Sequence, residues 1–333
     1  LIAEYLETRA MNPFDDLIHS ELEHFENSLD AALAADVELV HEITRYMSTL
    51  RGKRLRPALA FLSAKAVGQE CRDDIINAAV AVEMIHTATM VHDDVVDSAT
   101  IRRGRESINQ RWSGQVAVLV GDFLLAKALS MLVEIGNLHA LAVVSKATQR
   151  LSVGEIFEIQ IGEQNDVRES SYFSMVNDKT ASLISASVAL GPIFADVDPL
   201  VVNSMKKYGE LLGAAFQIAD DILDFTGDSA TMGKPVGHDL REGKLTLPLI
   251  RALERAPLED RNRVRELLSK PEKVENDWQQ IVDFVEEFSG VAAAEATARE
   301  YSALALECLQ VLPESSARGA LELAVKLVVE RKS

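Results

Sequence analysis

The sequence predicts an all-α fold, a large single-domain helical bundle. Three observations predict it. Apolar residues recur at intervals of three and four along most of the chain, the spacing of a single helix face. Ala, Leu and Glu are abundant while aromatic residues make up only 5%, as in helix-rich proteins. No set of alternating strands is visible.

Each element follows from local pattern. Residues 1–10 precede Met11, which reads as a natural start, so they are expected to be an upstream extension and 11–333 a single all-α domain. From 15 to 50, Leu17, Ile18, Leu22, Phe25, Leu29, Leu33 and Val37 mark one helical stretch. A basic turn at 51–57 leads into a helix ending near Gly68. The next helix, 73–98, is apolar nearly all round (Val80, Val82, Met84, Ile85, Met90, Val91), as a helix at the centre of a bundle must be. A basic loop holding Arg102, Arg103, Gly104 and Arg105 follows. Further helices are expected at 114–135, 137–162, 169–190 and 198–225, with Gly191 and Pro192 as a breaker. A Gly-rich polar loop carrying Lys234 and Lys244 comes next. Helices at 244–256, 260–269, 277–288, 290–311 and 314–331 complete the chain.

Composition excludes several function classes. A net charge of −18 offers no long-range field for phosphates, which argues against a nucleic-acid partner. Cys71 and Cys308 form neither a disulfide framework nor a zinc cluster, and a reducing cytoplasm fits them. The most apolar windows, such as 78–91 and 181–195, are too short or interrupted to span a bilayer, so no stable membrane anchor is expected.

Chemistry is concentrated in a repeated pattern. Asp93-Asp94-Val-Val-Asp97 recurs as Asp220-Asp221-Ile-Leu-Asp224, each copy inside an apolar stretch. With 22 Asp in 333 residues, chance gives ~0.1 copies of such a pattern. On a helix the first and last Asp of each copy share a face, where like charges cost roughly 0.2–0.5 kcal/mol per pair before desolvation. Hard carboxylate oxygens beside a substrate phosphate are the usual setting for Mg²⁺. Asp93 and Asp97 are expected to supply metal oxygens, with Asp94 turned about 100° away to ligate or to orient the shell.

Basic residues flank both copies. Arg51, Lys53, Arg54 and Arg56 place four cations at one turn. They form either a solubilising loop or a second anion pocket, with Arg56 as a fork, Lys53 as a point charge and Gly52 allowing close backbone approach. Arg102 and Arg103 point in different directions and could serve two phosphates. His86 and His92 on an apolar helix read by default as core histidines, and Glu155 and Glu158 as a solvated helix face.

These residues in this order closely resemble the trans-isoprenyl diphosphate synthase family. The match runs over about 50–250: Gly52-Lys53-x-x-Arg56-Pro57, Ile85-His86 with His92-Asp93-Asp94-x-x-Asp97, Arg102-Arg103-Gly104, Lys179-Thr180, Gly213-x-x-Phe216-Gln217-x-x-Asp220-Asp221-x-x-Asp224, Gly233-Lys234-Pro235 and Gly243-Lys244. Arg51 stands where many members have a second Gly.

The resemblance implies a Mg²⁺-dependent enzyme that joins isopentenyl diphosphate to an allylic diphosphate. Asp93, Asp94, Asp97, Asp220, Asp221 and Asp224 would hold the metal, three ions per site. Arg102, Lys179, Lys234 and Lys244 would grip the allylic diphosphate, and Gly52, Lys53, Arg56, His86 and Arg103 the isopentenyl one. Lys179, Thr180 and Gln217 would face the reacting carbon, where carbonyl and amide dipoles suit an allyl cation. No triad or paired-carboxylate acid/base is expected, because a strong base would quench that cation. Family members are usually homodimers, and an apolar product implies transient membrane contact.

Product length is read from the turn before the first Asp copy, where bulky aromatics stop the chain early in the family. Here Ala88 and Thr89 are small, so the tunnel is expected to be open, with Ile85 deeper and Met131 and Leu132 as floors. A long product of around eight units, as in a quinone side chain, follows. A short-chain synthase and a non-catalytic partner subunit are the alternatives. A terpene cyclase or a head-to-head condensing enzyme fits less well, since the second Asp copy is intact and the Gly52–Arg56 site is present.

Overall fold

The computed structural model describes residues 14–49, 52, 54–226 and 236–329, and helix dominates them. In chain order the helices are α1 (Asp15–Ala32), α2 (Glu38–Ser48), α3 (Leu55–Ala66), α4 (Asp73–Val96), the short α5 (Ile108–Arg111), α6 (Gly114–Ile135), α7 (Leu138–Gln164) and α8 (Glu169–Val176). A π-helical turn (Asn177–Ala181) joins α8 to α9 (Ser182–Phe194), followed by α10 (Pro199–Thr226) and the short α11 (His238–Arg241). Then come α12 (Leu247–Arg255), α13 (Leu258–Leu268), α14 (Glu275–Glu287), α15 (Gly290–Cys308) and α16 (Ser316–Val329). A short hairpin pairs β1 (Ile101–Arg102) with β2 (Arg105–Glu106), Ile101 opposite Glu106.

Helix α4 is the hub, as its all-round apolarity requires. It packs most extensively on α6 and also on α1, α3 and α9. Ile75, Val80, Val82, Met84 and Ile85 are buried on several of its faces. At about 1.5–3 kcal/mol for each large apolar side chain, that burial fixes the helix at the centre. Helix α10 packs against α9 and α15 and contributes to two apolar clusters, one around α4 and a second around Tyr172, Ile218, Leu247 and Phe284.

Four expectations need correction. Residues 15–50 form two helices, α1 and α2, separated near 33–37. The expected helix over 169–190 is interrupted by the π turn. Gly191 and Pro192 are no breaker: both lie inside α9, where a Cβ on Gly191 would overlap the backbone of Ala64, so the glycine serves the close packing of α9 on α3. Finally, α4 and α6 are both long and apolar enough to cross a membrane by length and composition. Most of α4 lies inside the bundle, whereas α6 turns Val118, Leu119, Leu129 and Val133 outward.

Candidate active site

The first acidic copy closes α4. Asp93 is half-buried, Asp97 is exposed at the C-cap, and Asp94 is buried, so the three carboxylates do not share one environment. The hairpin explains what Asp94 meets. Positive φ angles at Arg103 (51°) and Gly104 (73°) turn the chain back on the helix end. Arg102 Nε then donates to Asp94 Oδ1 at 2.8 Å, and its Nη2 reaches the same oxygen. Asn109 Nδ2 donates to the Asp94 backbone oxygen at 3.1 Å. Arg103 points elsewhere, as adjacent arginines should: its guanidinium lies over Gly52, where a Cβ would sit 2.7 Å from Nη2.

The basic turn is anchored from below. Arg54 takes a left-handed conformation (φ 53°) and sends its guanidinium inward. It forks onto Glu26 (2.6 and 3.1 Å) and reaches Glu83 Oε1 on α4 at 2.8 Å. Arg56 and Arg103 both lie close to His86. The Arg56 Nε is buried with no partner among the described residues. Burial, partly offset by Glu83 and reinforced by Arg103, lowers the Arg56 pKa. His86 is pushed well below the ordinary histidine range by burial and by Arg56 and Arg103, so it is neutral at pH 7 and can donate one ring N–H to an anion. Gly52, His86, Arg102 and Arg103 line one cavity, whose apolar end is formed by Leu33, Met47 and Leu124. Lys53 lies outside the described residues.

Between the two acidic copies sits the π turn that carries Lys179 and Thr180. Such turns appear inside helices mostly at functional sites, because the extra residue swings side chains to a new direction. Two glycines permit it. A Cβ on Gly154 of α7 would overlap the Lys179 backbone, and one on Gly213 of α10 would lie 2.6 Å from Ala181 Cα. Lys179 Nζ bonds Glu155 (2.7 Å) and Glu158 (2.6 Å) on α7. Burial would lower its pKa, but the two carboxylates outweigh it and raise the value. This corrects the solvated reading of Glu155 and Glu158. Thr180 Oγ1 donates to Gln217 Oε1 at 2.8 Å, and Gln217 Nε2 donates to Asp221 Oδ1 at 2.9 Å.

In the second copy, Asp221 is the buried member, taking a further hydrogen bond from the Tyr172 hydroxyl at 2.5 Å. Burial pushes its carboxyl up to about 8 against the pull of Tyr172 and Gln217. Asp220 and Asp224 are half-buried. Asp224 Oδ2 accepts from the Asp239 backbone N–H at 3.2 Å, which ties α11 to the second copy. Lys244 bonds Glu242 at 2.8 Å and approaches Asp97 at 3.7 Å, so it joins the loop to the first copy. Lys234 lies outside the described residues.

The electrostatics call for a cation. Asp93 is raised to about 7 by burial and by Glu155, Asp97 and Glu158, with Lys179 opposing. The donor set fits magnesium in kind: Asp93, Asp97, Asp220 and Asp224 offer hard carboxylate oxygens, and Mg²⁺ characteristically takes one or two carboxylates plus substrate phosphate oxygens; among the described residues no three such groups converge on one point.

Of the chain-length positions, Ala88 and Leu132 are fully buried, and Ile85 nearly so. Thr89 is half-buried, its hydroxyl donating to the His86 oxygen at 2.9 Å. Met131 lines a shallow groove with Ser28, Asn77 and Lys127. Sequence reasoning missed Glu26, Glu83 and Tyr172, and misjudged Glu155 and Glu158. The last two carried a signal: they stand at i and i+3 directly after Gly154, in a helix otherwise apolar there.

Known proteins resemble this chain over most of its length. A family model described as polyprenyl synthetase matches residues 37–285. Octaprenyl diphosphate synthase of Escherichia coli K12 is 35% identical over 302 residues, covering 90% of this chain and 92% of that one. A short chain isoprenyl diphosphate synthase of Methanothermobacter thermautotrophicus is 36% identical, covering 89% and 91%. Among solved structures, a polyprenyl synthase from Caulobacter crescentus, complexed with calcium and isoprenyl diphosphate, superposes with a TM-score of 0.89 at 31% identity, covering 97% of this chain and 98% of that one.

Proposed function

The chain belongs to the polyprenyl synthetase family, and from that premise we propose how its residues divide the work of adding isopentenyl units head-to-tail to an allylic diphosphate. The enzyme is a prenyl-group transferase. The observation that carries the division is the π turn, which sets Lys179 and Thr180 between two acidic copies, with Gln217 beside Thr180.

Asp93, Asp97, Asp220 and Asp224 would hold Mg²⁺, three ions per site together with the allylic diphosphate. Asp94 and Asp221, expected among the metal ligands, are buried and engaged by Arg102 and by Tyr172 and Gln217, so in this reading they position those partners instead. When bound, the metal supplies Lewis acidity at the leaving diphosphate. Arg102, Lys179, Lys234 and Lys244 grip that diphosphate, and Lys179 exchanges Glu155 and Glu158 for phosphate oxygens. Gly52, Lys53, Arg56, His86 and Arg103 hold isopentenyl diphosphate, with Arg54 as the buried anchor of that turn. The allyl carbon then develops positive charge opposite the Gln217 carbonyl oxygen and the Thr180 hydroxyl, both electron-rich and weakly nucleophilic. The isopentenyl double bond attacks, and the released proton goes to the departed diphosphate.

The small residues Ala88 and Thr89 support a long product, around eight units, with Ile85 a turn deeper on α4 and Leu132 on the neighbouring α6. The short-chain relative supports a second reading, in which elongation stops sooner. The outward apolar residues of α6 (Val118, Leu119, Leu129, Val133) and α7 (Val153, Ile156, Ile159) support a homodimer formed through that face. Free Cys71 and Cys308 fit a reducing cytoplasm, with transient membrane contact on product release.

The test is incorporation of labelled isopentenyl diphosphate into an extractable product by the full chain with magnesium. Incorporation should be lost with chelator, and Asp93→Asn should lower it by at least 100-fold. Full activity in chelator would refute the metal assignment.

A further inference from the structure

Tyr172 carries no motif, yet it stands at the root of the hydrogen-bond chain that ends at the reacting groups. It is fully buried, set edge-on against Phe173 with ring centroids 5.2 Å apart. Its hydroxyl donates to Asp221 Oδ2 at 2.5 Å, while the other carboxylate oxygen accepts from Gln217 Nε2 at 2.9 Å. Gln217 Oε1 in turn accepts from Thr180 Oγ1 at 2.8 Å. Tyr172 and Thr180 belong to one continuous segment, α8 and its π turn, and Gln217 and Asp221 are one turn apart on α10. Each end of that segment is therefore tied to the same turn of α10. Tyr172, Gln217 and Asp221 also line one small enclosed cavity with Glu158 and Lys244, so the chain borders the basic and acidic groups already described.

Direction matters in this chain. A side-chain amide has one end that donates and one that accepts. Gln217 presents its NH₂ to Asp221 Oδ1, which leaves its carbonyl oxygen to accept from Thr180 Oγ1. Reversing the amide would aim two N–H bonds at a developing carbocation. Gln217 is held in the useful sense only while Asp221 keeps its rotation, and the second contact fixing that rotation is the Tyr172 hydroxyl. Removing the hydroxyl leaves Oδ2 buried without its donor, and the carboxylate turns to recover one.

We propose that Tyr172 is a positioning residue for prenyl transfer: through Asp221 it orients the Gln217 amide so that the carbonyl oxygen, with the Thr180 hydroxyl, faces the allyl carbon. The proposal rests on the placement of Gln217 and Thr180 beside that carbon given above. Among the described residues the Tyr172 hydroxyl bonds Asp221, so its effect passes through Asp221 to Gln217.

The experiment is a double-mutant cycle on the full chain, using Tyr172→Phe, Gln217→Ala and the pair. It measures kcat, KM for each diphosphate substrate, and the melting temperature. Tyr172→Phe should lower kcat about 10- to 100-fold, less than the ~100- to 1000-fold that follows loss of an oriented dipole itself, because Gln217 remains and loses only its orientation. KM values should stay within about two-fold. In the Gln217→Ala background the same change should cost less than about three-fold, because the group it orients is gone. A full kcat cost in both backgrounds, or a wild-type kcat in Tyr172→Phe, would overturn the proposal. An unchanged kcat in Gln217→Ala alone would remove the underlying placement and the proposal with it. Should Tyr172→Phe melt below the assay temperature, Asp221→Asn breaks the same link without touching the ring. It should show the same loss, again absorbed by Gln217→Ala; a loss that persists there would overturn the proposal.

Discussion

Gly154 on α7 lies directly against the backbone nitrogen of Lys179, leaving no room for a Cβ between them. This contact brings Glu155 and Glu158 within hydrogen-bonding reach of the lysine ammonium and lets the π turn seat against α7. Gly154→Ala should therefore push the helix away. A loss of about 1–3 kcal/mol is expected from overpacking, together with a kcat at least ten-fold lower. Thermal melting and steady-state kinetics would check both. A variant with normal melting and normal kcat would show that the close approach is unimportant.

Glu83 on α4 anchors Arg54 and, through it, the turn carrying Gly52 and Arg56. Glu83→Gln keeps the shape but removes the charge that offsets Arg54, Arg56 and Arg103. KM for isopentenyl diphosphate should rise about ten-fold or more while KM for the allylic substrate stays near its original value. An equal rise for both substrates would disprove the separate anchoring of this turn.

Asp93 and Asp221 are raised to about 7 and about 8, each chiefly by burial. Their folded values lie above those of the unfolded chain, so the folded protein binds more protons between the two. In chelator, stability from these groups is present at low pH and is lost as pH rises from about 4 towards about 8. The melting temperature should fall over that range, and Asp93→Asn should flatten the part below pH 7. A melting temperature rising over the same range in chelator would contradict the assignment.

How much of this was legible depends on distance along the chain. The two Asp copies and the Gly52–Arg56 turn are local patterns whose residue types imply their chemistry, so they could be read directly, whereas Lys179-Thr180 reads as ordinary helix surface and gains its weight only from the family resemblance. Partnerships across the chain were hidden. Arg54 meets Glu26 and Glu83, Lys179 meets Glu155 and Glu158, and Tyr172 meets Asp221, each pair separated by at least 21 residues. The helical period gave the elements, because burial on α4 and α9 follows apolar spacing. It failed at Gly191-Pro192, where a pair that usually ends helices instead serves close packing on α3. It also passed over the π turn, since one inserted residue barely disturbs an apolar pattern.

Ala88 is fully buried one turn before Asp93. Ala88→Phe should shorten the product by several isoprene units, with a stability cost of about 1–3 kcal/mol from the added ring. Chromatography of the product alongside a thermal melt would separate the two effects. Unchanged product length in a folded variant would rule this position out of the growing chain's path.

The most direct test of the account is to size the product. The full chain is incubated with magnesium, labelled isopentenyl diphosphate and an allylic diphosphate primer, and the dephosphorylated product is resolved by reverse-phase chromatography. The account predicts an all-trans chain of around eight isoprene units. A product halting at three or four units would contradict the long-chain reading, and no incorporation with any allylic primer would contradict the assignment of the site itself.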